Sequence, residues 1–173
     1  MDKYRTYIPG RRIVKTAIAV FLSVQLFYLL GHTTPVHAAL ACILTMRTTA
    51  DETKSRGKNR IIGTLIGGLS AYLCLIFIDR LQLSSVSNFA PIIVAVFVLL
   101  SLTITKALQM DPYAMTIASV VTVVTLLSHN ESHLDALSYV SIRILETIVG
   151  FVIAYMVNRY LLPRRNKTDY LGS

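Results

Sequence analysis

Charged residues are scarce in this sequence. Of its 173 residues, 15% are Asp, Glu, Lys or Arg and 54% are apolar, whereas a typical soluble domain is roughly 25% charged. The mean hydropathy is +0.59. Because a small soluble domain leaves much of its area in water, it could not bury so many apolar side chains. The composition therefore excludes an ordinary soluble domain and favours a protein embedded in a lipid bilayer.

The residues of common catalytic and metal sites are also few. The two cysteines, Cys42 and Cys74, lie inside apolar segments, where we interpret them as small buried hydrophobes, not as a disulfide or a metal site. His129 and His133 have a spacing that a metal pair can use, but we interpret their polar stretch as a solvated loop. We find no phosphate-binding Gly-rich loop, no nucleophile beside a base and no hydrolytic carboxylate pair. We predict no enzyme, no metal, no cofactor and no ATP-driven pump.

Six apolar runs divide the chain: 13–30, 35–48, 61–78, 89–105, 112–128 and 137–162. A membrane-spanning helix needs about 20 residues, so the first, third, fourth and sixth runs qualify and the fifth is borderline. The second is short, since about 14 residues rise only about 21 Å through a core of about 30 Å. We predict an all-α fold with a six-helix transmembrane domain over 1–163 and a short basic cytoplasmic tail over 164–173.

The basic residues indicate an orientation. Acidic residues number 9 against 17 basic ones, for a net charge of +8. The basic residues cluster between the apolar runs, which favours a membrane surface and leads us to predict no nucleic-acid partner. With six spans and the N-terminus inside, 15 of the 17 fall on the cytoplasmic side and only Arg80 and Arg143 fall outside. This bias predicts an N-in, C-in multi-pass protein, most simply of a bacterial plasma membrane.

The two halves of the sequence resemble each other. The pattern Arg-x-x-x-Thr-x-x-Gly begins at Arg60 and again at Arg143, and Pro35 of the second run aligns with Pro112 of the fifth. With three spans per copy, the second copy must enter the membrane upside down, as in many secondary transporters. We therefore predict two inverted three-helix repeats. The alternative is that apolar helices resemble each other because few residue types occur in them.

Helical spacing places the polar residues of the third and sixth runs on one face with small residues. We interpret the small residues as helix-packing positions: Gly63, Gly67, Gly150 and Ala154. Charges at membrane depth usually face protein or water, so Arg60 and Arg143 predict a cationic lining for an anion path. Arg143 and Glu146 are spaced to form an i, i+3 pair.

The second and fifth runs are the shortest, and both open with a helix-starting proline. Exposed amides at such helix starts favour anions, and short, Pro-marked segments at matching places in two halves indicate a transporter site. Pro35 and Pro112 are therefore also candidates. The alternative is that both are ordinary joins between a loop and a helix.

Several motifs resemble one known superfamily. They are Thr45-Met46-Arg47-Thr48, Gly57-x-x-Arg60-x-x-Gly63-Thr64-x-x-Gly67, Arg143-x-x-Glu146-Thr147-x-x-Gly150 and Asn158-Arg159-x-Leu161-Leu162-Pro163. Over about residues 11–163 the chain resembles the membrane half of the fusaric acid resistance and aromatic acid exporter superfamily. The resemblance implies a six-helix unit and export of anions or aromatic acids. Many relatives continue into a cytoplasmic helical domain, which we expect to be missing here, and Arg47 stands where we expect a neutral residue.

The leading hypothesis is a membrane transporter that exports small organic anions, with aromatic carboxylates among them. Arg60 and Arg143 would attract the carboxylate, and Glu146 would hold Arg143 or carry a proton. We expect a homo-oligomer, with a dimer favoured, because six helices leave little interior for a path. The alternatives are a non-transport scaffold or accessory subunit of cell-envelope machinery, and a passive anion channel. The candidate substrate residues are Arg60, Arg143, Glu146, Thr64, Thr147, Arg47, Pro35 and Pro112.

Overall fold

The structure is a computed structural model that describes residues 10–31, 35–80, 90–129 and 135–161. These residues form six helices: α1 Arg11–Leu29, α2 Val36–Thr45, α3 Ala50–Arg80, α4 Ala90–Ala107, α5 Pro112–His129 and α6 Ala136–Tyr160. The described residues contain no strand, so the all-α prediction with six helices is confirmed. The predicted tail 164–173 and His133 lie outside the described residues.

Helix α3 is longer than the apolar run that predicted it. It begins at Ala50, about three turns before the run starts at 61, so the basic stretch 54–60 is helical. A capping box begins it: the Glu52 amide donates to Thr49 Oγ1 at 3.2 Å, and the Thr49 amide donates to Glu52 Oε2 at 3.4 Å. This reciprocal cap satisfies amides at the helix start. Hydropathy detects only the apolar part of such a helix.

The six helices differ in length and in their ability to cross a bilayer. Three helices of the described chain are long and apolar enough to cross a bilayer: α1, α3 and α6 from Leu137. Helices α4 and α5 have 18 residues each and rise about 27 Å. Helix α2 has 10 residues and rises about 15 Å, half of a core of about 30 Å. The second run is therefore even shorter as a helix than the sequence suggested.

The helices form two compact units, and α3 and α6 contribute to both. Unit 1 is Met1–Gly57 with Val149–Ser173, and unit 2 is Lys58–Ile148. Unit 1 thus holds α1, α2, the start of α3 and the end of α6. Unit 2 holds the rest of α3, all of α4 and α5, and the beginning of α6.

Hydrogen bonds in unit 1 fix the relative directions of its helices. The Lys15 ammonium near the start of α1 bonds Asn158 near the end of α6. Farther along α1, Cys42 of α2 donates to the carbonyl oxygens of Ala19, at 3.5 Å, and of Gly150, at 3.1 Å. Moving forward along α1 therefore means moving backward along α6, and these two helices are antiparallel. The small buried core of this unit comprises Ala19, Cys42, Met46, Ala154 and Val157.

In unit 2, α3 and α5 run side by side in the same direction. A Cβ added to Gly63 would lie 2.6 Å from the carbonyl oxygen of Ala114, and one added to Gly67 would meet the carbonyl oxygen of Ala118. Both positions rise together along the two helices, so α3 and α5 are parallel. Small residues permit this approach of two backbones. The buried core of this unit comprises Ala71, Cys74 and Leu126.

Candidate functional site

Three residues at the beginning of α6 form a charged cluster in unit 2. Arg143 Nη1 donates to Glu146 Oε2 at 3.3 Å, and Nη2 donates to Tyr139 Oη at 2.9 Å. The guanidinium carbon also lies 4.6 Å from the centroid of the Tyr139 ring. The Glu146 side chain is 2% exposed and that of Arg143 is 19% exposed. The helical spacing i, i+3 and i, i+4 brings these groups together, and the ion pair offsets part of the cost of burying the Glu146 carboxylate.

Helix α3 also carries buried polar residues in unit 2. Arg60 is 4% exposed and Thr64 is 1% exposed, and their i, i+4 spacing places them on one side of the helix. One turn beyond Thr64, a Cβ on Gly68 would lie 2.9 Å from Val140 Cγ1 of α6. Helices α3 and α6 therefore contact each other in unit 2 close to these polar residues.

Unit 2 contains buried polar atoms that have no hydrogen-bond partner among the described residues. They include Arg60 Nε, Thr64 Oγ1 and Thr147 Oγ1. Leaving a buried hydroxyl unpaired costs about 1–3 kcal/mol. Native proteins usually pair buried polar groups, so an exception needs a cause such as a bound water, an ion or a functional role. Every such atom in the described part of the chain belongs to a residue that the sequence predicted for substrate binding.

Other buried threonines show that pairing is available to this side chain in this fold. The hydroxyls of Thr45 and Thr105 donate to carbonyl oxygens one turn earlier, each at 2.6 Å. Thr122 Oγ1 lies 2.8 Å from the Ala118 oxygen and 3.1 Å from the Gly67 oxygen. The hydroxyls of Thr64 and Thr147 are therefore distinguished from their neighbours by their surroundings, not by their residue type.

Unit 1 holds a second polar cluster, which the sequence did not reveal. The Asn158 side-chain amide donates to the oxygens of Arg47, at 3.0 Å, and Thr49, at 2.9 Å, and to Thr53 Oγ1 at 2.7 Å. These groups lie at the break between α2 and α3. Asn158 thus satisfies non-helical backbone groups that would otherwise be costly to bury. Asn158 was noted only as part of a motif, because its partners lie more than 100 residues away in sequence.

The sequence of this fold matches a known family. Residues 7–161 match the family described as aromatic acid exporter family member 1. The chain belongs to the aromatic acid exporter family. The resemblance drawn from the motifs is thereby confirmed, and together with the apolar helices it makes this exporter-family chain a membrane protein.

Curated relatives of the chain are bacterial and longer. It is 29% identical over 163 residues to a UPF0421 protein of Staphylococcus epidermidis, covering 94% of this chain and 45% of the relative. A UPF0421 protein of Staphylococcus haemolyticus is 33% identical over 166 residues, with 94% and 46% covered. One of Halalkalibacterium halodurans is 28% identical over 154 residues, with 89% and 40% covered. The chain spans less than half the length of these relatives. No solved structure matches it.

The two proline candidates of this exporter-family chain occupy different positions. Pro112 is the first residue of α5 and is exposed, whereas Pro35 is buried and occupies the N-cap of α2, one position earlier than predicted. The Asn59 amide donates to the Asp111 carboxylate just before α5. Because Asp111 already supplies negative charge at that helix start, a second anion there would be opposed.

The predicted residues also divide between the two units. Arg47 and Pro35 belong to unit 1, whereas the other substrate candidates belong to unit 2. The structure adds Tyr139 as a partner of Arg143, and its i−4 position relative to that arginine was the signal in the sequence. Within the described residues, no group of three or more His, Cys, Asp or Glu side chains is placed to hold a metal.

Two helix crossings in this exporter-family chain correspond to each other. Gly67 of α3 meets the backbone of α5, and Gly150 of α6 meets the backbone of α2 at Ala38. In each crossing, the glycine carbonyl oxygen accepts a hydrogen bond at 3.1 Å from the helix that it touches, from Thr122 in unit 2 and from Cys42 in unit 1. The predicted repeat pairs α3 with α6 and α5 with α2, so each crossing joins one helix of each predicted pair.

Proposed function

We propose that this chain is a transporter of a bacterial plasma membrane that exports small organic anions, with aromatic carboxylates among them. The observation that carries the proposal is the set of buried donors in unit 2 that find no acceptor within the described part of the chain: Arg60 Nε and the hydroxyls of Thr64 and Thr147. A carboxylate is an acceptor-only group, so it complements such donors. Membership of an exporter family gives the same direction.

In this proposal the chain crosses the membrane six times, with both ends in the cytoplasm. The antiparallel pair α1 and α6 in unit 1 supports this, since two crossing helices of opposite direction place both ends of the domain on one side. The parallel pair α3 and α5 in unit 2 also agrees with alternate crossings. The distribution of Lys and Arg then satisfies the positive-inside rule.

The short α2 can contribute a crossing because the chain after it is satisfied by protein. Non-helical backbone is tolerated at membrane depth only where other protein groups or water pair with it. The Arg47 amide donates to Thr53 Oγ1 at 3.0 Å, and Asn158 bonds the oxygens of Arg47 and Thr49. We interpret α2 and this segment as one discontinuous crossing, as transporters with inverted repeats use. The corresponding glycine crossings support that repeat.

The mechanism that we propose centres on Arg143. A carboxylate can accept two parallel hydrogen bonds from a guanidinium group, and Tyr139 holds this guanidinium in place. The substrate carboxylate competes with Glu146 for Arg143, so protonation of Glu146 would favour substrate binding. Anion movement is then linked to a proton on Glu146. Two protomers assemble as a homodimer in this proposal and share the path.

The experiment is flux of labelled benzoate into liposomes that contain the purified full-length chain. We expect uptake to depend on a pH gradient and to fall at least about tenfold in Arg143→Gln, because a lost charge-assisted hydrogen bond amounts to about 1.5–3 kcal/mol. Arg80→Gln is the matched control, since Arg80 is an exposed arginine at the end of α3. Inertness towards a broad panel of organic acids would contradict transport and favour a scaffold. Single-channel currents without proton coupling would favour a passive channel.

A further inference from the structure

A buried lysine in unit 1 has no carboxylate partner. Lys15 is 6% exposed, and its ammonium nitrogen lies 2.9 Å from Asn158 Oδ1 and 3.1 Å from the Asn158 main-chain oxygen. Both acceptors are uncharged, and no carboxylate in the described part of the chain forms an ion pair with it. Removing a cation from water is costly unless a negative group compensates it. A bound anion would therefore compensate the buried positive charge of Lys15.

A second cation donor belongs to the same cluster. Arg47 Nε is buried and has no hydrogen-bond partner in residues 10–31, 35–80, 90–129 and 135–161, while the Arg47 main-chain oxygen accepts from Asn158 Nδ2 at 3.0 Å. The one side-chain amide of Asn158 thus holds Lys15 on its oxygen and the main chain of Arg47 on its nitrogen. The same asparagine therefore contacts both residues, Lys15 through its ammonium group and Arg47 through its main chain.

We propose that Lys15 and Arg47 form an anion-binding site in unit 1, distinct from the cluster around Arg143, and that its ligand is a small carboxylate. An ammonium group has three donors, and Asn158 occupies two of those on Lys15. In this proposal the remaining N–H of Lys15 and the Nε–H of Arg47 donate to the two oxygens of one carboxylate. Asn158 is a positioning residue because it holds the Lys15 ammonium group and the main chain of Arg47, and it does not itself need to touch the anion.

If the proposed function holds, the position of this site along the helices indicates at which stage of transport it binds the anion. Lys15 lies near the start of α1, and Arg47 follows the end of α2. In the N-in orientation both lie at the cytoplasmic end of the membrane domain. The site would then receive the anion before export, which rests on the proposed function. The binding of a carboxylate here does not rest on it.

Calorimetric titration of the detergent-solubilised full-length chain with benzoate tests the site. Because benzoate would also bind at Arg143 in our proposal, the comparison is made in Arg143→Gln, where we expect added Lys15→Met to weaken binding at least about tenfold, as the loss of a charge-assisted hydrogen bond implies. Lys15→Arg keeps the charge and should restore most of the affinity. If Lys15→Met does not fold, Arg47→Gln serves as the second variant, with the same expected loss.

The outcomes separate this site from the transport proposal. Unchanged affinity when Lys15→Met or a folded Arg47→Gln is added to Arg143→Gln, or no benzoate binding by the wild type, would overturn the site. Residual binding in Arg143→Gln that is lost on adding Lys15→Met would support two sites. Binding that depends on Lys15 in a chain that moves no benzoate across liposomes would support the site and contradict transport. Phosphate or chloride binding with the same dependence and no benzoate binding would contradict the carboxylate assignment.

Discussion

Replacing Thr147 by valine should stabilise the protein and impair its function at the same time. Valine has nearly the shape of threonine without the hydroxyl, and Thr147 Oγ1 is buried without a partner. Removing an unsatisfied hydroxyl recovers up to about 1–3 kcal/mol. Because polar groups in membranes also find partners in the unfolded reference state, we expect the lower end, about 1 kcal/mol. In a chain of this size that raises Tm by about 2–4 °C.

Thr122→Val is the matched control on α5. Its hydroxyl contacts the oxygens of Gly67 and Ala118, so the same substitution removes satisfied bonds and should lower stability by about 0.6 kcal/mol or more. Thermal unfolding of the detergent-solubilised chain, followed by circular dichroism, measures both variants. Benzoate uptake should fall about three- to tenfold in Thr147→Val, as expected for one lost neutral hydrogen bond. A loss of stability in Thr147→Val equal to that in Thr122→Val would refute the reasoning.

Three further predictions concern packing, capping and the arginine cluster. Gly67→Ala should destabilise the protein by about 1–3 kcal/mol in thermal unfolding, because its Cβ would overlap an α5 carbonyl oxygen. The control is Gly10→Ala, whose Cβ meets nothing within 4 Å and which should change the stability little. Thr49→Ala removes the capping box of α3 and should cost about 1 kcal/mol in the same measurement; an unchanged Tm would contradict the cap. Tyr139→Phe removes the acceptor that orients Arg143. It should raise the KM for benzoate uptake without lowering the expression level, whereas an unaltered KM would remove Tyr139 from the site.

The helices could be predicted from the sequence because lipid imposes a simple rule on apolar length. The start of α3 could not, since it depends on Thr49 and Glu52 capping each other in a polar stretch that hydropathy does not read. The length of α2 was overestimated because an apolar stretch can also continue beyond the end of a helix. Apolar residues continue to Met46, but the helix ends at Thr45, and Asn158 of a distant helix satisfies the chain that follows.

The candidate site was predictable where its groups share one helix. Arg143 and Glu146 could be paired because helical spacing alone brings them together. The bond between Lys15 and Asn158 joins residues 143 positions apart, and no periodicity indicates it. Which buried hydroxyls are satisfied also depends on tertiary packing, so the sequence could name Thr64 only as a polar residue on a face of small ones.

The central claim is that the unsatisfied polar residues of unit 2 line a path for anions. The most direct test is water accessibility of Thr64→Cys and Thr147→Cys to a charged, membrane-impermeant thiol reagent, with the buried native Cys42 and Cys74 as the background and the exposed Leu65→Cys as the lipid-facing control. The account predicts that both threonine positions are labelled, that benzoate slows the labelling, and that position 65 reacts far less. If the cysteines at positions 64 and 147 do not react although both variants fold correctly and bind benzoate, the account is contradicted.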